Sequence, residues 1–472
     1  LQDRNVTNLL TLQAGVTPEG YVSGARSDQN NLTLDGIDVN ESTSGGSNTT
    51  PTQTNPDSIS EFRVITSNFT PEYGRNSGGQ VTMVTKSGTN DFHGDVYDYL
   101  RNDALDAADF FSNMNGAKKV PLRYNQFGGS LGGPIIKDKT FFFFSQEFRR
   151  VITYGTAQAM VPTPTELQGT FAHPVCVAFS GANGSGTCTQ TANQVTAISP
   201  MAAAYIKDIW SKVPAPPSGN SLFSALRNKF YARQELVRID QKFNDRWAAY
   251  GRYMHDSIPT TEPGGLFTGE AIPNVGTTNT NSPGYSWLVH LTATISPTLL
   301  NDFGYSYSHG AIISDVAGLM GTANSPDIHP NLPFHSTLAR VPSVTLTGGS
   351  GLASFGPYRD YNRNHSVFET LTKVRNRHTY VAGMVYFRYE KTENAGGSNA
   401  GSFSFTNNGA PTGTSSYEQA WANFLQGYAS SFSQASEDIT PDIHDNQWEF
   451  YGQDTYQLRP NLTVVYGLRV SL

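Results

Sequence analysis

The stretch Tyr285-Ser286-Trp287-Leu288-Val289-His290-Leu291-Thr292-Ala293-Thr294-Ile295-Ser296 decides the fold, together with the Ser296-Pro297-Thr298 turn and Asp302-Phe303-Gly304-Tyr305-Ser306-Tyr307-Ser308 that follow it. Trp287, Val289, Leu291, Ala293 and Ile295 fall on one parity, and Ser286, His290, Thr292 and Thr294 on the other. A period of two with one apolar face is the signature of a strand covered on one side. The first set is expected to face lipid and the second a lumen. Val237, Ile239 and Phe243 repeat the rhythm, as do Leu462, Val464, Tyr466, Leu468 and Val470.

From Phe92 onward, strand pairs with short connections alternate with long polar segments. The short turns are Ile136–Lys139, Asn244–Arg246, Ser296–Thr298, Arg375–Arg377 and Arg459–Asn461. The long segments are 102–121, 153–230, 257–283, 313–363 and 391–446. Loops of that length are uncommon in compact soluble domains. Short turns at one end and long loops at the other is the asymmetry of an outer-membrane barrel. Aromatic residues crowd the strand ends, at Phe141–Phe144, Trp247, Tyr386 and Trp448 for example. Such rings suit a membrane–water boundary. About eleven strands are legible, an odd number, whereas single-chain bacterial barrels have even numbers. The chain begins at Leu1 without a leader and ends inside a strand-like run, so both ends read as cuts. A soluble β-sandwich or β-helix is the alternative that alternation alone leaves open.

Composition bounds the rest. The 472 residues are 37% apolar, 12% aromatic and 15% charged, with net charge −7. That is too aromatic for a disordered chain. No apolar run approaches the roughly 18 residues of a membrane helix, so any span must be β. Lys and Arg are thinly spread, which argues against nucleic acid as a partner. Cys176 and Cys188 lie in one long loop and are expected to form a disulfide in an oxidising compartment.

Residues 1–88 differ from the remainder, 89–472. They carry short β-like pieces at Asn31–Asp35, Phe62–Thr66 and Gln80–Thr85, and a helix-like Arg4–Leu12, so they read as a small mixed α/β unit. Within them, Leu34-Asp35-Gly36-Ile37, Ile59-Ser60-Glu61-Phe62-Arg63-Val64, Tyr73-Gly74-Arg75, Ser77-Gly78-Gly79-Gln80-Val81 and Val84-Thr85-Lys86-Ser87-Gly88-Thr89-Asn90 stand in that order. These strings resemble the plug domain of TonB-dependent outer-membrane transporters. Asp91-Phe92-His93-Gly94, Phe127–Ile135, Lys137–Phe143 and Tyr451–Asp454 resemble the Oar-like branch of that family. The resemblance implies a plug filling a barrel of roughly 22 strands, of which this chain would hold the plug end and the first half of the barrel. It implies import of a large or scarce ligand, often a saccharide or peptide in this branch, driven by the inner-membrane TonB complex. It assigns Arg26, Asp35, Gly36, Glu61, Tyr73, Gly74, Arg75, Gly78 and Gly79 to the plug motif.

Catalytic chemistry is not signalled. Gly-x-Ser-x-Gly, Walker A, His-Glu-x-x-His and Cys-x-x-Cys motifs are missing from the sequence, so an enzyme is not expected and no cofactor is implied. The ten His residues show no metal-ligand spacing, and Asp35, Asp38, Asn40 and Glu41 read as turn chemistry rather than a Ca²⁺ site. A plug among Arg238, Asp240, Lys242, Arg252, Asp302 and Arg469 is expected to pack through wet, easily broken ion pairs. Tyr358, Tyr361, Trp421 and Tyr428, in the long loops, either contact a ligand or close the loops on one another. Two rivals to an energy-coupled importer stand beside it: a passive barrel or adhesin, and a secreted β-rich carbohydrate-binding protein.

Overall fold

The computed structural model describes residues 6–26, 29–40, 54–74, 78–108, 110, 114, 119–394 and 398–472. Asp35 and Gly36 both take positive φ, 53° and 82°. An Asp-Gly pair in this conformation makes the tight turn that suits the twist of a hairpin. It joins β1 (Asn31–Leu34) to β2 (Ile37–Asp38). With β3 (Ile59–Ile65) and β4 (Gln80–Thr85) they form a mixed sheet in the order β2-β1-β4-β3, β1 running parallel to β4. The expected helix is a 3-10 helix, Val6–Leu12; Arg4 and Asn5 lie outside the described residues.

The second sheet begins at β5 (His93–Asn102), β6 (Leu122–Ile136) and β7 (Thr140–Met160). The chain then leaves it for a hairpin, β8 (Thr170–Phe179) and β9 (Cys188–Gln194), and returns as β10 (Ser221–Lys242) and β11 (Trp247–Ser257). Short β12 (Thr260–Glu262) and β13 (Thr278–Asn281) precede β14 (Gly284–Ser296) and β15 (Leu299–Val316). After β16 (Ser343–Leu346) come β17 (Tyr358–Arg375) and β18 (His378–Glu393). After β19 (Ser402–Phe405) and β20 (Ser431–Ser433) come β21 (Asp442–Arg459) and β22 (Leu462–Ser471). Eleven long strands pair antiparallel from β5 to β22, the two outermost having one neighbour each among the described residues. All five expected short turns connect neighbouring strands of this sheet.

The small sheet lies against one face of the large one, which is therefore its inner face. Arg238 and Arg252, paired across β10 and β11, both point inward. The opposite parity carries the exposed apolar residues Val237, Ile239, Tyr253, Val289 and Ile295. The expected register on β14 thus holds: Val289 is half exposed, whereas Thr292 turns inward and donates to Asp302 at 2.8 Å.

The strands run further than their alternation suggested. β7 extends to Met160 and β10 starts at Ser221, inside the segment read as one loop from 153 to 230. Beyond them the long loops do not stay open. They fold into a cap with its own core: Val175, Tyr205, Ile209, Trp210, Ile272 and Trp421 are among its fully enclosed members. The cap contains helices α1 (Pro200–Asp208) and α2 (Ser416–Gln426) and a three-stranded sheet, β16-β19-β20. Ser415 and Glu418 close a capping box on α2, and Gly427 ends it at φ 79°. The helix is buried all round, which is why polar Gln419 on it is fully enclosed and accepts a hydrogen bond from the Cys176 backbone N–H at 2.8 Å.

Candidate functional site

The candidate site is the contact between the small sheet and the inner wall. Its centre is Asp35, placed by the β1–β2 turn with its side chain 1% exposed. One carboxylate oxygen accepts the Thr85 N–H at 2.8 Å and the other its hydroxyl at 2.9 Å. The same carboxylate forms an ion pair with Arg252, also 1% exposed, and lies 3.8 Å from Arg238. Arg238 donates to the Thr85 hydroxyl at 3.0 Å and its carbonyl at 3.2 Å, and bridges to Asp240 at 2.7 Å. Its guanidinium stacks over Tyr250, 3.9 Å from the ring centre. Gly36 faces the Phe368 ring of β17, which a Cβ would meet at 3.7 Å.

Apolar packing surrounds this charge cluster. Val6, Leu34 and Met83 of the small unit bury against Phe143, Leu236 and Met254 of the wall. The expected wet, easily broken interface is therefore corrected. An Asp–Arg pair shielded by apolar side chains is no longer screened by water, and removing one partner of such a pair is strongly unfavourable.

Two further contacts hold the unit. Arg469 of β22 donates to the carbonyls of Glu72 at 2.9 Å and Pro71 at 3.1 Å, and pairs with Glu449. Its side chain occupies the space where a Cβ on Gly74 would sit. On the opposite side, Asn55 donates to the Tyr97 hydroxyl at 3.0 Å, which in turn donates to Glu147 at 2.7 Å. The connection into the barrel is tied to the first short turn. Asn90 donates to Asp138 at 2.6 Å and accepts from its N–H at 2.8 Å.

The other motif residues take different places. Gly78 and Gly79 are backbone packing positions: a Cβ on Gly78 would lie 2.5 Å from the Gln29 carbonyl, and one on Gly79 2.9 Å from Val22. Tyr73 is half buried, and burial together with neighbouring Glu72 raises its pKa. Arg26 and Glu61 are exposed and do not join the Asp35 cluster. Arg75 and Glu41 lie outside the described residues. Asp38 accepts from the Asn40 backbone and side chain, both at 2.9 Å, a local turn arrangement.

Among the ligand candidates, Trp421 is fully buried in the cap, donating to the Glu166 carbonyl at 2.9 Å and packing edge-on against Trp210 at 5.3 Å. Tyr358 is 5% exposed, with its hydroxyl on Glu393 at 2.6 Å. These two close the loops on one another and offer no ligand surface. Tyr361 and Tyr428 are partly exposed, Tyr428 lying edge-on to Phe179. Cys176 and Cys188 are bonded across the β8–β9 hairpin, Cα to Cα 5.8 Å. Thr85, which binds both Asp35 and Arg238, is the residue of this contact that the sequence reading passed over. It stands in the Val84–Asn90 string without any sign that it holds Asp35.

With this geometry in place, the comparison with known proteins is informative. The family model described as outer membrane beta barrel domain matches residues 84–472. The chain belongs to this family. As a member, its place is the bacterial outer membrane, and the secreted carbohydrate-binding alternative falls. Over 170 residues the barrel chain is 30% identical to the TonB-dependent transporter Oar of Myxococcus xanthus, covering 33% of this chain and 15% of Oar. Its fold is similar to the outer membrane transporter YddB from Escherichia coli, with a TM-score of 0.59 and 9% identity over 99% of this chain and 54% of that one. It is likewise similar to a mutant ferric enterobactin receptor from Pseudomonas aeruginosa, with a TM-score of 0.51 and 12% identity, covering 99% and 55%. The barrel chain thus spans about half the length of the solved structures it matches. These relatives are transporters and receptors, in agreement with the resemblance carried by the Leu34–Ile37 and Val84–Asn90 strings.

Proposed function

We propose that residues 1–88 act as a plug and that the protein imports a ligand too large or too scarce for passive pores, a saccharide or a peptide, by TonB-driven displacement of that plug. The carrying observation is the Asp35–Arg252 pair enclosed by the Val6, Leu34 and Met83 contacts. Moving the plug must separate this pair and expose the apolar side chains of Val6, Leu34 and Met83 to water, at a cost of roughly 25 cal/mol per Å² of apolar surface. Thermal motion alone opens such a seal rarely, so passage needs external work.

The test is uptake by cells carrying the full-length gene, supplied with fluorescent oligosaccharides and peptides, with and without a protonophore. Energy-coupled import predicts accumulation that the protonophore abolishes. Accumulation indifferent to the protonophore would establish the passive-barrel reading instead.

A further inference from the structure

We infer that the cap carries a binding site for a carboxylate borne on an apolar body, the chemistry of a peptide C-terminus or of a small aliphatic acid. The site is a cavity of about 370 Å³, lined by residues between Thr322 and Pro342 and by Ala400. That volume falls in the range of small-ligand sites. The cavity shares no residue with the Asp35 contact, so the inference stands whether or not the plug moves.

The walls are tied in place although they form neither strand nor helix. Gln434 holds the Phe334 backbone in both directions, accepting its N–H at 3.2 Å and donating to its carbonyl at 2.9 Å. Tyr205 of α1 donates to the Pro342 carbonyl at 2.8 Å, and Ser325 to that of Leu319 at 2.6 Å. Burial is graded from mouth to floor. His329, Phe334 and His335 stand exposed, whereas Ile328, Val341, Pro342 and Ala400 are buried. An apolar floor beneath an open mouth admits an aliphatic side chain or tail.

Charge selects what that tail carries. Arg340 lines the cavity at 6% exposure, and its guanidinium donates to the Ser354 carbonyl at 3.0 Å. Among the described residues no lining side chain is acidic. The neighbouring Asp438 carboxylate accepts from the Thr337 hydroxyl and the Asn399 amide, each at 2.7 Å, and from the Ser336 hydroxyl at 3.2 Å. Its lone pairs are thus committed to neutral donors. Burial lowers the Arg340 pKa to about 10, and the Asp438 charge offsets only part of that effect. A ligand carboxylate beside Arg340 would relieve the remaining cost through a charge-assisted hydrogen bond. His329 and His335 add ring N–H donors at the mouth. The apolar lining favours a single negative charge over a phosphate, whose second charge costs more to desolvate.

The experiment is isothermal titration calorimetry of the full-length protein in lipid nanodiscs, with no energy source. The probes are an Ala-rich hexapeptide ending in a free Leu, the same peptide amidated, hexanoate, and inorganic phosphate. The variants are Arg340→Gln and Phe334→Asp, the second placing a repelling charge at the exposed mouth. Asp245→Asn, on an exposed short turn, is the control. Amidation and Arg340→Gln should each weaken binding roughly ten- to a hundredfold, the loss of one hydrogen bond to a charged group. Phe334→Asp should weaken it in the same direction. Hexanoate binding as tightly as the peptide would support the site with a free acid as occupant. Tighter binding of the peptide would support it with a chain terminus. Equal binding of free and amidated peptide, wild-type affinity in both folded variants, or no binding of either acid would overturn the proposal. So would phosphate competing as well as the acids. Cap folding is read by protease resistance; if Arg340→Gln loses it, Phe334→Asp decides. None of these outcomes bears on the protonophore test of import.

Discussion

Asp35 of the small sheet and Arg252 of the barrel wall, 217 residues apart in the chain, form an ion pair in which each side chain is 1% exposed. Arg238 adds a second positive charge 3.8 Å away, and Thr85 ties the same carboxylate to β4. Asp35→Ala takes from buried Arg252 its carboxylate partner, while Arg238 keeps Asp240, a loss on the order of 3–5 kcal/mol. Limited proteolysis of the full-length protein should then cut within residues 1–88 while the barrel stays intact. Protection equal to wild type would mean that the pair does not hold the plug.

Gly78→Ala should loosen the same unit without touching a charge. Its Cβ would lie 2.5 Å from the Gln29 carbonyl, too close for any relaxed contact. Gly155→Ala on β7, where nothing lies within 4 Å, is the comparison. Overpacking typically costs about 1–3 kcal/mol. Urea titration followed by proteolysis should show an earlier plug transition for Gly78→Ala alone.

The wall register is tested by a charge on each parity of β14. Leu291→Arg places it on the lipid face, at a cost of roughly 2–4 kcal/mol near the midplane. Thr292→Arg places it beside inward-facing Asp302. Heat-modifiable migration should weaken for the first and persist for the second. Equal assembly of both would reject the register.

Much of this architecture was legible from residue pattern. Period-two alternation located the long strands, and the five short turns fixed their pairing. The cap was not legible. Its core residues are spread over four polar loops and meet only in three dimensions, as Trp210 and Trp421 do. The Ser415–Glu418 spacing signals the start of α2, but it is a short signal within a long Ser/Thr-rich segment. The strength of the plug contact was missed for a related reason. Charges read singly look solvated, and nothing local shows that Phe143, Leu236 and Met254 will surround Asp35, Arg238 and Arg252.

The cap should lose stability in acid. Burial pushes the Glu418 carboxyl up, but the Ser415 backbone N–H and hydroxyl and His173 more than offset it, so its pKa lies below the ordinary 4.5. A carboxyl lowered by folding contributes stability that is present above the ordinary value and lost as pH falls through the folded one. Proteolytic cleavage around α2 should therefore rise on acidification below that ordinary value. Glu418→Gln should flatten the dependence, and an unchanged pH profile in the variant would assign the acid sensitivity elsewhere.

The Cys176–Cys188 link closes a 12-residue separation in the β8–β9 hairpin. For a loop of this size the stabilisation is about 3 kcal/mol. Mass spectrometry of the non-reduced protein from outer membranes should recover the two peptides joined. Recovery of both as free thiols would remove the bond from the account.

If the plug moves only when the cell supplies energy, as proposed, Leu34 reports on that movement most directly. Leu34 adjoins Asp35 and is 1% exposed in the apolar contact with the wall. Leu34→Cys in the full-length protein, on a background with Cys176 and Cys188 replaced by Ser, can be challenged with a membrane-impermeant maleimide in living cells. Labelling should rise in energised cells supplied with ligand, fall to the background level with a protonophore, and become independent of energy when Asp35 is changed to Ala. Labelling of the Leu34→Cys protein that is the same with and without the protonophore would contradict energy-driven movement.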